Sequence, residues 1–422
     1  MFVFKFGGAS VKSADAVRNI AEILGKYPDD QIVVVVSAMG KTTNALERVI
    51  EQYAGKNGPG IKEEFDRIKD YHLEILEGLF TKHDHPAFRD VEELFSGLEN
   101  RLSKEPTLNY DYDYDQIICY GELLSTGIIA HYLNHSGVKT RWMDIRRSLK
   151  SDNNWREARV DWELSTRLVN EQFTFDNGER ILITQGFIAS TINDQSTSLG
   201  REGSDYTAAV MAYMLNAEQV TIWKDVPGVL NADPKYFDDT LLLEKISYLD
   251  AIELAYFGTS VIHPKTIKPL QNRNINLFVK SFMDHNAPGT LIGNIGYDKL
   301  IPSFIFKMDQ VLIRTSPLDF SFITEDNLEE IFGILHKHGM RINLMQNSAV
   351  SFLMIVNNDK RKVRSVVDDL ERNYRVAYQT GLELITIRYF DQSTIDRVMI
   401  NKELIMEQRG VQNIQLLVRD LG

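Results

Sequence analysis

Apolar and polar positions follow two regimes along the chain. In the first, up to about residue 283, short apolar runs alternate with stretches in which apolar residues recur three and four apart. "FVFKF" predicts a strand over 2–6, and "SADAVRNIAEILGKY" predicts a helix over 13–27 that opens on a Ser/Asp cap. "QIVVVVSAMG" is a continuous β-branched run, the mark of a strand buried on both faces, so the chain opens as a βαβ unit of a parallel sheet covered by helices. Residues 44–104 read as a helical insertion, clearest in "IKEEFDRIKDYHLEILEGLF". "YDYDYD" (110–115) reads as a polar lead-in to the next strand or helix with no chemistry assigned, and "IICYG" around Cys119 as buried strand. "TRWMDI", "RILITQGFIAS", "QVTIWKDV" and "INLFVKSF" are further strands, separated by helical "SDYTAAVMAYMLN" and "SYLDAIELAYFG". The pattern is α/β with a largely parallel sheet.

A Pro, Gly and Asn-rich break, "DHNAPGTLIGN" (284–294), marks the main domain boundary. Beyond it the elements read strand, helix, strand, strand, helix, strand, the βαββαβ order of a ferredoxin-like unit. The tail "STIDRVMINKELIMEQRGVQNIQLLVRD" adds a helix and a strand, an abbreviated second unit. The expected division is 1–295 and 296–422.

With 422 residues and 43% hydrophobic content, the chain can build two or three cores without disulfides. A net charge of −12 argues against nucleic acid or an anionic membrane as main partner and favours a small-molecule substrate. A single cysteine suits a reducing compartment. With no leader-like start and no apolar run of membrane-spanning length, the expected location is the cytoplasm.

Candidate chemistry gathers at strand ends. Lys5 precedes Gly7 and Gly8, a turn whose backbone N–H groups can approach a phosphate with no Cβ in the way; the plainer alternative is a tight turn. "SAMGKTTN" ends like a Walker A loop, but Val35 stands where that loop requires glycine. Ser37, Thr43 and their neighbours still offer hydroxyls after a buried strand, or simply cap a helix. Glu122 sits at a helix start, suited either to the helix dipole or to a substrate ammonium. "STSLGREGSDYTAAVMAYML" is the strongest local signal: Arg201 and a Ser/Thr/Gly loop run into Ser204 and Asp205 at a helix N-terminus, a ready anion site. "WKDVPGVLNADPK" places Lys224, Asp225 and Lys235 among turn residues that can wrap a nucleotide or form a surface turn. The "HDHP" and "HKH" pairs lack matching ligand spacing and read as surface histidines, so no metal site is expected.

Taken in order, "KFGGAS", "VVVSAMGKTTN", "GELLS", "TSLGREGSDYTAA", "WKDVPGVLNADP", "FGTSVIHPKT" and "APGTLIG" resemble the aspartate kinases of the amino-acid kinase superfamily, over essentially the full chain. The resemblance implies a carbamate kinase-like αβα sandwich followed by ACT-type regulatory units. It implies ATP-dependent phosphorylation of the β-carboxylate of L-aspartate to 4-phospho-L-aspartate, the first step towards lysine, threonine and methionine. It also implies roles: Lys5 and Asp205 catalytic; Gly7, Gly8 and Ser10 at the phosphates; Ser37, Thr43, Glu122 and Arg201 at aspartate; Lys224, Asp225 and Lys235 at ATP. Mg²⁺ would be held mainly by ATP oxygens, and a homodimer would form through the ACT region. A kinase for another carboxylate amino acid such as glutamate, and an amino-acid sensor built on a decayed kinase, are the alternatives.

Four departures from the family pattern stand out. Ser260 replaces a common lysine, with Lys265 as a possible substitute; Leu230 replaces a frequent aromatic, and Glu202 a glycine. These bear on ATP affinity more than on reaction type. In "INLMQNSAVS", Asn343 and Ala349 stand where lysine-sensitive relatives carry acids. The expectation is insensitivity to lysine alone, or response to another amino-acid effector such as threonine.

Overall fold

The computed structural model describes residues 1–237, 239–258, 261–296, 300–319 and 321–422. It forms two compact units: Met1–Val229 with Leu242–Ile252 and Ser260–Gly296, and Leu230–Leu241 with Glu253–Thr259 and Tyr297–Gly422.

Up to Gly296 the elements are β1 (Phe2–Phe6), α1 (Ala14–Gly25), β2 (Ile32–Val36), α2 (Thr42–Ala54), α3 (Gly58–Leu79), α4 (Pro86–Leu102), α5 (Tyr110–Ile118), α6 (Tyr120–His135), β3 (Thr140–Met143), α7 (Trp162–Gln172), β4 (Ile181–Gln185), β5 (Ile188–Ser190), β6 (Ser196–Ser198), α8 (Gly203–Met214), β7 (Gln219–Lys224), β8 (Lys245–Ser247), α9 (Tyr248–Phe257), α10 (Pro264–Arg273), β9 (Asn276–Ser281) and β10 (Thr290–Gly293). Eight strands make one sheet in the order β3-β4-β2-β1-β7-β9-β10-β8. All its pairings are parallel except β9 with β10. Every residue of β2 is buried, as its unbroken β-branched run requires when helices cover both faces. Lys5 registers with Val35 and Ile222, so Gly7, Ser37 and Lys224 emerge together at one end of the sheet. The Ser13 hydroxyl accepts the Ala16 N–H and starts α1, whose Val17, Ile20, Ile23 and Leu24 enter the core.

Several sequence expectations change. "IICYG" is helical: Ile117 and Ile118 end α5 and Tyr120 opens α6. Its apolar side chains are buried all round inside the helical layer, and a short apolar run does not distinguish that setting from a strand. "YDYDYD" is no lead-in but the first part of α5 itself, with Asn109 as its cap. "RILITQGFIAS" breaks into β4 and β5 around Gly186 and Phe187, the latter with φ of +68°. The Pro/Gly-rich break contains β10, a strand of the large sheet. α7 and α10 lay outside the sequence expectations.

The second unit contains β11 (Ser303–Pro317), α11 (Glu325–Lys337), β12 (Ile342–Asn347), β13 (Phe352–Asn357), α12 (Lys360–Leu370), β14 (Tyr374–Arg388), α13 (Gln392–Val398), β15 (Lys402–Arg409) and β16 (Asn413–Asp420). Its antiparallel sheet runs β12-β13-β11-β14-β16-β15. The long β11 and β14 serve two ferredoxin-like halves; the tail supplies one helix and two strands, one strand more than expected. Among the described residues, no helix is long and apolar enough to cross a membrane.

Candidate active site

Lys5 is the fourth residue of a strand buried on both sides, and its ammonium reaches past the strand end to Asp205. Nζ lies 2.6 Å from Asp205 Oδ1, while Lys224 Nζ lies 3.2 Å from Asp205 Oδ2. Lys224, the last residue of β7, also donates to the Val261 carbonyl. Asp205 occupies the first turn of α8, where the helix dipole favours an anion. Burial works to raise its pKa; the charges and hydrogen bonds of Lys5 and Lys224 outweigh burial and hold the carboxyl below its ordinary range. Two cations therefore share one buried carboxylate, leaving a local surplus of positive charge at the strand ends.

Of the two glycines following Lys5, Gly8 is required by close approach. A Cβ on Gly8 would stand 2.8 Å from the Gly40 carbonyl oxygen, and Gly40 N–H donates to Gly8 at 3.0 Å, so the first two strand-end loops interlock. A Cβ on Gly7 would come within 3.2 Å of the Lys5 ammonium. Ser10, by contrast, is buried, and its hydroxyl donates to the Trp223 carbonyl at 3.4 Å, tying the loop after β1 to β7.

Glu122, in the first turn of α6, is 2% exposed. Oε1 accepts the Ala38 N–H at 3.2 Å, whereas Oε2 is buried with no hydrogen-bond partner among the described residues. Burial pushes its pKa up to about 8, against the lowering influence of backbone hydrogen bonds. Such an oxygen is costly unless a donor arrives, and a ligand ammonium is a fitting one.

A cavity of about 770 Å³ unites these groups. Lys5, Ser37, Thr43, Glu122, Asp205 and Lys224 line it, together with Arg201, which is exposed and has no ion-pair partner among the described residues. Gly7, Gly8, Ser10 and Asp225 do not line it. Lys235 belongs to the second unit, where its N–H donates to Asp233 Oδ1 at 2.9 Å. Ser260 lies outside the described residues. Lys265 Nζ donates to the Leu199 carbonyl at 2.9 Å and sits 4.4 Å from the Tyr206 ring centre, away from the cavity lining.

The sequence reading missed other residues of the lining, among them Glu47, Tyr114, Trp155 and Arg156. No motif marks Arg156, a non-glycine residue with φ of +68°. Glu202, noted as a departure from glycine, also lines the cavity and adopts φ of +53°, the left-handed conformation that glycine takes without steric cost.

The amino acid kinase family model matches residues 1–281. Lysine-sensitive aspartokinase 3 of Escherichia coli is 31% identical, the match spanning 91% of this chain and 86% of the relative. The solved E. coli aspartokinase III with lysine and aspartate, in the T-state, superposes with a TM-score of 0.85 at 29% identity over 99% of this chain and 96% of that one. The R-state of the same enzyme, with aspartate and ADP, gives 0.81 at 28% identity with the same coverage. This chain belongs to the aspartokinases, within the amino acid kinase family.

Proposed function

We propose that the cavity at the strand ends transfers the γ-phosphoryl group of ATP to the β-carboxylate of L-aspartate, with the residues above in distinct roles. The observation that carries this reading is the pairing, in one cavity, of a cationic centre around Asp205 with an unsatisfied acid oxygen on Glu122. Phosphoryl transfer needs in-line placement and neutralisation of charge on the equatorial oxygens more than covalent help. Lys5 and Lys224 supply positive charge to the β- and γ-phosphates, and Asp205 orients both ammonium groups. The Gly7–Gly8 turn follows Lys5 at the end of β1 beyond the cavity lining, and its backbone N–H groups would meet phosphate oxygens that extend past Lys5. Glu122 receives the substrate ammonium and Arg201 its α-carboxylate, while the Ser37 and Thr43 hydroxyls flank the β-carboxylate. That carboxylate is already a nucleophile, so no strong base is required.

Bound magnesium neutralises phosphate charge. Both Asp205 oxygens are engaged by lysines, and among the described residues no group of three or more His, Cys, Asp or Glu side chains is placed to hold a metal. With both Asp205 oxygens paired to lysines, ATP oxygens would be the main ligands of the ion.

For the second unit we infer a regulatory role, homodimer formation through residues after about 300, and weak response to lysine alone. The E. coli relative has been solved with lysine. Here Asn343 Oδ1 accepts from Lys307 Nζ at 2.8 Å, and its Nδ2 donates to Gln310 and Asn357 at 2.7 and 2.8 Å. An effector ammonium would meet an amide already engaged by the chain's own lysine. The cytoplasm is the compartment that fits this enzyme.

The reaction is tested with Mg-ATP and either L-aspartate or L-glutamate, trapping the acyl phosphate with hydroxylamine. Turnover with aspartate and little with glutamate is expected; folded protein that turns over neither overturns the reading.

A further inference from the structure

Asp115 lies outside every motif, yet its side chain joins three segments that build the amino-acid end of the cavity. It is fully buried on α5. Oδ2 accepts the backbone N–H of Arg156 at 2.9 Å and that of Ser198 at 3.0 Å, and Oδ1 accepts the Ser198 hydroxyl at 2.5 Å. The neighbouring Gln116 grips the same strand, exchanging two hydrogen bonds with the Ser196 backbone at 2.7 and 3.1 Å. Ala158 N–H donates to the Ser198 carbonyl at 2.9 Å, so the 156–158 turn and β6 are tied to each other as well as to α5. Two residues after Ser198, Gly200 turns with φ of +76° so close to that segment that a Cβ would meet the Arg156 carbonyl oxygen at 3.3 Å. Arg201 follows directly.

We propose that Asp115 is a positioning residue for amino-acid recognition: through Ser198 and the backbone of Arg156 it holds the 198–201 loop so that Arg201 meets the α-carboxylate of the substrate. The inference rests on the reading above that Arg201 takes that carboxylate. All three groups facing Asp115 donate to its carboxylate; alanine in its place removes every acceptor, whereas an amide keeps one oxygen for the two N–H groups and can donate to the Ser198 hydroxyl, which turns to accept. The turn at Arg156, which adopts a left-handed backbone without being glycine, is held there by one of these bonds. The phosphate end, built on β1, β7 and α8, shares none of these bonds.

The test compares wild type, Asp115→Ala, Asp115→Asn, Ser198→Ala, Arg201→Ala and the double variant Asp115→Ala/Arg201→Ala. Initial rates are taken over L-aspartate and Mg-ATP, with L-aspartate binding followed by calorimetry. Asp115→Ala should raise the KM for aspartate about tenfold to a hundredfold, with kcat and the KM for ATP changed less than about threefold, and Asp115→Asn should recover most of that loss. Ser198→Ala should move the same parameter in the same direction by less. Combined with Arg201→Ala, Asp115→Ala should add little, because it acts through Arg201. Wild-type aspartate KM in Asp115→Ala overturns the proposal, as does a parallel loss in kcat and both KM values, which a merely structural role would produce. Additive effects in the double variant also overturn it. A wild type that neither binds nor phosphorylates aspartate overturns the functional reading itself, an outcome distinct from these.

Discussion

Two lysines, Lys5 buried and Lys307 half-buried, one in each unit, show how differently a fold can use an ammonium group. Lys5 shares Asp205 with Lys224, an ion cluster with one positive charge more than it can neutralise, at the edge of a large cavity. Lys307, on β11, has no ion-pair partner among the described residues; burial lowers its pKa, and its ammonium donates to Asn343 at 2.8 Å. Asn343 in turn donates to Gln310 and Asn357, and Gln310 Nε2 donates to the Met308 carbonyl and to Asn357, closing the network on itself. The first arrangement gains from an arriving anion. The second spends its polar atoms within the chain, so a ligand there must break hydrogen bonds before making its own.

The contrast is broken most directly at Lys5. Lys5→Ala should lower kcat by about a thousandfold or more while leaving the circular dichroism spectrum unchanged, because a transition-state cation is lost from a site whose sheet packing does not depend on it. A variant with near wild-type turnover would remove Lys5 from the chemistry.

Glu122→Gln should come next, raising the KM for L-aspartate by about a hundredfold. With a pKa of about 8 in place of the ordinary 4.5, Glu122 is protonated in the empty site at neutral pH and must ionise to receive an ammonium. Wild-type KM for aspartate should therefore fall as pH rises from about 6 to about 8, and the glutamine variant should lose that slope. Stability moves the other way. The unfolded chain releases this proton near 4.5 and the folded chain near 8, so the native state binds more protons between those values and wild-type stability declines across that window. Chemical denaturation of the two proteins at pH 5 and pH 8 checks this: only wild type should lose the Glu122 contribution.

Effects in the second unit should be smaller. Millimolar L-lysine alone should leave the rate nearly unchanged, and half-inhibition at micromolar lysine would show that the Asn343 network opens readily. Lys307→Met should leave kcat intact and change stability by only about 1 kcal/mol, since a half-buried charge is removed as one amide acceptor loses its partner. A loss of turnover in that variant would erase the distinction between the two lysines.

The legible parts of the molecule share a physical cause. The β-branched run of β2 declares a two-sided strand because no other setting buries five consecutive such side chains so readily. The Gly7–Gly8 turn and the Ser204–Asp205 helix start are local, with neighbours in sequence that are neighbours in space. "IICYG" was misread because helix and strand bury a short apolar run equally well. Asp115 was passed over because its partners lie 41 and 83 residues away, at Arg156 and Ser198.

By itself, then, the sequence determined the βαβ opening, the ferredoxin-like order after residue 300, and the family-matched side chains at strand ends, since periodicity and turn chemistry act within a few residues. Tertiary structure alone decided which charges meet: that one aspartate serves two lysines, that Glu122 keeps an unpartnered oxygen, that Ser10 turns inward to Trp223, and that α5 secures the loop bearing Arg201. Electrostatic balance and hydrogen-bond satisfaction depend on distances through space, which the folded chain brings to a few ångströms and the order of residues does not reveal.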